Sequence, residues 1–454
     1  MSVNLTYLVI ISLLVMVFIA TRNIKSSEKE YFVLNKSEGT FGLTMSFYAS
    51  GMGLWILTSP AEVAWYGLGY DIYGYALSAA TPFILIYIFG PRISKLLPGG
   101  VTLAQFIEKK YGTFAQKIVS IVAIIYMSAF LIAEFASISF LFESISDVSG
   151  IVVSSLVATT TFLYLNKSGF KASYVTDKIQ GVGIILLLTL LFGLWFGQNS
   201  FDEITNFANL GGLSTFETYS LKSALAVVIA VTAAEIFSTG YWQRTFSAVD
   251  ETTIKKASIY SGLGVFITIL LLGVAGAVGA GKGLETPTLS FIDQLSLNSL
   301  TVLVLISLAT LLVTSSVDTL ENAISSTISI DIVKKGSKEA NNITLAVVVL
   351  ALFASTRVTN IFTVFLVADL FATSLVFPAF FKIKKASKNV VLVIPFIGSL
   401  VSVFLYRYLF IDLQENPGGL FVPTDLYGLA DLNTFAVALL SSMVFTLVMD
   451  KFNK

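Results

Sequence analysis

Apolar runs of seventeen or more residues, parted by short polar segments, recur from one end of the chain to the other. About 20 such residues, coiled as a helix, cross the ~30 Å hydrocarbon layer of a bilayer. The runs predict spans near 4–22, 41–68, 73–97, 115–143, 149–165, 171–196, 221–247, 251–281, 299–333, 340–356, 358–383, 389–410 and 434–450. They lack the period-two alternation of a transmembrane strand. In lipid only a helix or a closed barrel pairs its own backbone polar groups. The predicted class is all-α integral membrane, with about thirteen transmembrane helices.

The polar positions between the runs give an orientation. Cytoplasmic loops collect Lys and Arg. With the N-terminus outside and the C-terminus cytoplasmic, the 28 basic residues fall in inside segments, Lys384 and Lys454 among them, except Lys222, Lys282, Arg357 and Arg407. This predicts a multi-pass protein of a plasma or inner cell membrane. Two outside loops are long: 197–220, and 411–433 with Pro417 and Pro423. Both read as ordered surface excursions. The first run has no basic segment before it and no small-residue cleavage site, so it reads as a retained span.

Composition agrees and removes several chemistries. Charged residues make up 12% of the chain, half the ~25% of a soluble domain, and mean hydropathy is +0.84. Cysteine and histidine are both absent. Disulfides, thiol catalysis, Cys/His metal sites and imidazole proton relays are thereby excluded. A net charge of zero suggests no nucleic-acid partner. Without a soluble domain, and with carboxylates scattered over many spans, the chain does not read as an enzyme and implies no organic cofactor.

Some spans look broken. Span two holds Ala49-Ser50-Gly51-Met52-Gly53-Leu54-Trp55 near its centre. Each glycine weakens a helix by about 1 kcal/mol relative to alanine, and unwound backbone frees carbonyls for cations. The same small residues suit a close helix crossing. Span seven carries a weaker signal, Ser238-Thr239-Gly240 followed by Tyr241-Trp242-Gln243-Arg244. In span nine, Ser315, Thr319, Asn322 and Ser326 lie within about 60° of one another on a helix, flanked by Asp318 and Ser316. The stripe suits a hydrated cation path towards the cytoplasm, although single Ser and Thr residues also bond back to their own helix.

Acids also fall inside the spans: Glu62, Glu134, Glu235, Asp318 and Asp369. No Lys or Arg is expected near the middle of any span. A carboxylate at the bilayer centre costs about 2.5–3.5 kcal/mol on insertion scales, so each needs a proton, hydrogen-bond donors, a bound cation or a substrate amine. Glu235 and Asp369 are the acids expected beside a substrate cavity, with Glu134, Gly51, Gly53, Trp55, Ser238 and Tyr241 as further candidates.

Ala49-Ser50-Gly51-Met52 with Trp55, the stretch Thr102 to Gly112, Thr176-Asp177-Lys178-Ile179-Gln180, Gln243-Arg244, and Ser315-Ser316-Val317-Asp318-Thr319 with Asp331-Ile332 occur in one order along the chain. This set resembles the sodium/solute symporter family, whose members carry proline, sugars, pantothenate, sialic acid and urea. The resemblance covers nearly the whole chain and implies a LeuT-like core of two inverted five-helix repeats. Repeat one would occupy about 41–196 and repeat two about 221–383, with extra spans 4–22, 389–410 and 434–450. It also implies sodium-coupled symport of a small organic solute by alternating access, with sodium as the only metal ion.

By position, the resemblance implies sodium ligands in the carbonyls of Ala49, Met52 and Leu312 and the hydroxyls of Ser315 and Ser316. Oxygen ligands suit a hard cation. A second cation place or exit path would use Asp177, Asp318 and Thr319. Proline carriers of the family have an aspartate where this chain has Gly51, which puts proline-like transport in doubt. The rival expectations are a sodium-independent uniporter or channel, or a solute sensor, on the same scaffold.

Overall fold

The computed structural model describes residues 3–452 except 147, 359, 384, 386, 412–417 and 426–427. Pro417, Lys384 and Lys454 lie outside the described residues. Among these the regular structure is helical, with two isolated β-bridges. The helices are α1 (Val3–Thr21), α2 (Glu28–Phe32), α3 (Thr40–Gly51), α4 (Ser59–Tyr66), α5 (Gly69–Leu96), α6 (Leu103–Tyr111), α7 (Thr113–Ser146), α8 (Gly150–Gln198) and α9 (Phe201–Leu210). They continue with α10 (Thr218–Glu235), α11 (Thr239–Ser247), α12 (Glu251–Gly281), α13 (Ser299–Thr327), α14 (Ser337–Ser355), α15 (Ile361–Phe380), α16 (Val390–Phe410) and α17 (Leu432–Phe452).

Ten of the described helices are long and apolar enough to cross a bilayer singly. The three further expected spans are 41–68, which is interrupted, one of the pair 149–165 and 171–196, which share α8, and 340–356, which falls on the shorter apolar α14. α8, at 49 residues, would be about 74 Å long if straight. Gly169 (φ 53°, ψ −139°) divides it, in a conformation that side chains avoid, and a Cβ there would lie 2.4 Å from the Tyr31 carbonyl oxygen. The expected span 41–68 is α3, a 3₁₀ turn over Leu54–Leu57 and α4. The expected span 221–247 is α10 and α11.

Leu186, Leu409 and Phe404 are largely exposed, whereas Asp177, Arg244, Asp318 and Glu134 are 0% exposed. Apolar side chains outside and charge within is the arrangement of a bundle whose solvent is lipid. The core is built where α5 packs against α12 and α10, and α13 against α8. α3 lies among α8, α12 and α13.

Short polar elements tie one end of this bundle. Glu38 pairs with the strand-like stretch after α11 through Glu38 N to Ser247 O (3.2 Å) and Val249 N to Glu38 O (3.1 Å). Asp331, beyond the end of α13, accepts from Thr102 Oγ1 (3.0 Å) and Gln116 Nε2 (2.9 Å). The amphipathic α6 starts on a reciprocal Thr102/Gln105 cap. At its other end Tyr111 donates to the Pro378 carbonyl (2.6 Å), and Lys110 Nζ to the carbonyls of Ala379 (3.4 Å) and Phe381.

Candidate substrate and cation site

α3 stops at Gly51, and Met52 and Gly53 run extended before the 3₁₀ turn. Glycine at 53 is a requirement of packing. Glu134 from α7 enters the break and accepts the Leu54 N–H at 2.8 Å, and a Cβ on Gly53 would fall 1.6 Å from its Oε1. A Cβ on Gly51 would approach the Tyr241 hydroxyl to 2.8 Å. The second break, Ile236–Ser238, separates α10 from α11, and Trp242 Nε1 donates to the freed Ile236 carbonyl at 2.7 Å. Both interruptions therefore belong to helix breaks, and Tyr241 stands between them.

α13 packs on α3, α7 and α8. Ala49, Met52, Leu312, Ser315 and Ser316 are all buried. Ser316 donates back to the Leu312 carbonyl at 3.1 Å, and Ser315 donates to Asp177 Oδ1 at 3.1 Å.

A buried base near the end of α11 was not anticipated. Arg244 on α11 is 0% exposed and pairs through Nη2 with Asp177 Oδ2. It also donates to Thr319 Oγ1 (2.8 Å), Ser46 Oγ (2.8 Å) and the Gly240 carbonyl (2.9 Å). α11 remains helical and buried through Arg244 instead of ending at an aqueous edge. The acid in question, Asp177, was not among the five expected to lack a basic partner. The polar stripe of α13 is likewise packed: Gln243 bonds Ser326 (2.9 Å) and Asn322 (3.0 Å), while Arg244 takes Thr319. Asp318 belongs to a neighbouring cluster, accepting from Tyr164 (2.6 Å), Ser173 (2.8 Å) and Thr176 (3.1 Å).

Adjoining this network are two small cavities, of about 30 and 20 Å³, that share Gly51, Tyr126, Phe130, Glu235 and Tyr241. The larger is walled by Trp55, Tyr75, Phe83, Phe362 and Phe365 and reaches Asp369. The smaller reaches Ser238, Ser316 and Thr319. The hydroxyls of Tyr126 and Tyr241 face the Glu235 carboxylate. Asp369 Oδ2 is buried without a partner. Neither cavity is lined by Lys or Arg. Gly53 and Glu134, expected at the cavity, are instead locked to each other beside it.

Of the aromatic lining the sequence picked out Trp55 and Tyr241 and missed the rest. Its signal was present on α15, where Phe362, Phe365, Leu366 and Asp369 have the i, i+3, i+4, i+7 spacing of one helix face. Tyr75 and Tyr126 carried no comparable signal, because single tyrosines are common in apolar spans.

No family model matches the chain. It is 24% identical over 443 residues to the spermidine transporter DUR31 of Candida albicans (strain SC5314 / ATCC MYA-2876), covering 93% of this chain and 84% of that protein. Among solved structures, a Na+-coupled sialic acid symporter in a substrate-bound outward-open state superposes with a TM-score of 0.79 at 15% identity, covering 98% of each chain. The nucleobase-cation-symport-1 family transporter Mhp1, in a closed conformation with bromovinylhydantoin, gives 0.58 at 12% identity over 92% of this chain and 94% of that one. MhsT in complex with L-phenylalanine gives 0.56 at 12% identity over 91% and 99%. These proteins are transporters, not enzymes, and the fold that this chain shares with the solved structures is the LeuT-like transporter fold.

Proposed function

We propose that this chain is a sodium-coupled symporter of the sodium/solute symporter family and that its solute is a small organic amine. The observation that carries the reading is the cavity itself: two carboxylates, Glu235 and Asp369, in an aromatic enclosure with no basic side chain in its lining. A carboxylate recognises an ammonium group by charge-assisted hydrogen bonds, and aromatic faces attract cations. The transport of spermidine by the relative in Candida albicans agrees with this chemistry.

Sodium would sit where the α3 break meets α13, held by the carbonyls of Ala49, Met52 and Leu312 and the hydroxyls of Ser315 and Ser316. Ser316 lines the smaller cavity, which adjoins the amine site, so ion and solute would stabilise one closure. The second cation place has a tenant in this reading. Arg244 already neutralises Asp177 and binds Thr319, so a single sodium ion couples transport. The repeats would be 41–196 and 221–383, rocking against each other about the two breaks. One charge moved through 100 mV supplies ~2.3 kcal/mol, roughly fifty-fold accumulation, and a cationic solute adds its own charge.

The test is a thermal-shift panel of amines, amino acids, sugars and urea on purified protein, with and without sodium. Stabilisation by amines that grows with sodium is expected. Stabilisation by neutral or anionic solutes alone would refute the amine, and stabilisation by amines indifferent to sodium would favour a uniporter.

A further inference from the structure

Outside the cavity lining, a third carboxylate stands at the N-terminal end of α15. Glu62 on α4 is 5% exposed; Asn360, the N-cap of α15, donates to its Oε1 at 2.8 Å, while its Oε2 is buried without a partner. Asp369 lies nine residues further along α15, about 13 Å at 1.5 Å per residue. Phe362 and Phe365, between them on that helix, line the cavity. Tyr75, packed edge-on against Phe362 (ring centroids 5.9 Å), lies within electrostatic reach of Glu62, Asp369 and Glu235 alike.

Two further polar atoms of the cavity-lining residues, Trp55 Nε1 and Asp369 Oδ2, are buried and unbonded. Buried polar groups are seldom left so. Unpaired carboxylate oxygens lack a donor, and donors are what an amine chain carries. The acids are also spread out. Among the described residues no three His, Cys, Asp or Glu side chains converge, so these acids do not form one carboxylate cage.

The geometry points to a ladder of carboxylates, Glu235, Asp369 and Glu62, that reads a linear polyamine by the number and spacing of its ammonium groups, with Glu62 selecting for the third. This rests on the amine reading above and specifies it. Hydrocarbon linkers would lie against Phe362, Phe365 and Tyr75, and the charged groups would meet the acids in turn.

The test is competition by 1,4-diaminobutane and by a linear triamine against labelled-amine uptake in proteoliposomes holding the full chain. Glu62→Gln and Glu62→Asp are measured beside the unaltered protein. The triamine is expected to compete about tenfold better than the diamine, the worth of one charge-assisted bond. Glu62→Gln should bring that ratio near one, and Glu62→Asp, which keeps the charge, should retain most of it. An unchanged ratio in Glu62→Gln, or no preference in the unaltered protein, overturns the ladder while leaving the amine site standing. If neither amine competes with the unaltered protein, the amine reading fails as well.

Discussion

Arg244 Nη2 bridges Asp177 of α8 and Thr319 of α13, and its Nε reaches Ser46 of α3, so one guanidinium joins four helices including both broken ones. None of the four side chains is more than 4% exposed. Removing one partner of a buried ion pair leaves an uncompensated charge and costs about 3–5 kcal/mol. Arg244→Gln and Asp177→Asn should each lower stability on that scale, and the double variant should cost well under their sum. Chemical unfolding of all four proteins in micelles measures this. Additive losses would show that the pair is not coupled.

The serine pair bears on coupling. Ser315→Ala with Ser316→Ala removes two hydroxyl oxygens from the proposed ion site and leaves the helix intact. Sodium-dependent uptake should disappear while membrane expression stays level. The sodium dependence of the unaltered protein should have a Hill coefficient near one, because Arg244 fills the other cation place. Undiminished uptake at low sodium in the double variant, or a coefficient near two without it, contradicts these assignments.

The Gly53–Glu134 contact makes a steric claim that thermal denaturation can check. Gly53→Ala puts a methyl 1.6 Å from Glu134 Oε1, so the variant should fail to accumulate or melt far below the unaltered protein. Gly53→Ala with Glu134→Ala should recover part of the loss. Recovery stays partial because the Leu54 N–H then lacks its acceptor, at a cost of about 1–3 kcal/mol.

At the aqueous end, burial pushes the Lys110 ammonium down to about 7, against ~10.4 for a free lysine. Between those values the unfolded chain holds a proton that the folded chain has released, so stability rises with pH from about 7 to about 10. Below 7 the folded state must keep the charge buried and gains nothing further. Lys110→Met should flatten the slope. An equal slope in both proteins would remove Lys110 as its source.

How far the sequence reached depended on the range of each interaction. The helical membrane class was legible because hydrophobicity is local and cumulative. The break at Gly51-Met52-Gly53 was legible because glycine is a local cause of unwinding. What Gly53 accommodates was not, since Glu134 arrives from 81 residues away. Arg244 was misread because a base near the end of an apolar run normally faces water. Only packing reveals that α11 carries it inward to Asp177. The α13 stripe was correctly polar on one face, but which side chains fill that face belongs to α11. Asp369 and Glu235 stood out as lone acids in apolar runs, whereas their aromatic surroundings come from four helices and a 3₁₀ turn and leave no joint trace in the chain.

The most direct measurement is uptake of labelled 1,4-diaminobutane into proteoliposomes under an inward sodium gradient, against equimolar potassium. The expected result is accumulation several-fold above equilibrium with sodium. Dissipating the gradient with a sodium ionophore should abolish it, and Glu235→Gln with Asp369→Asn should lose it. Equal entry in both salts that stops at equilibrium would contradict sodium-coupled amine transport.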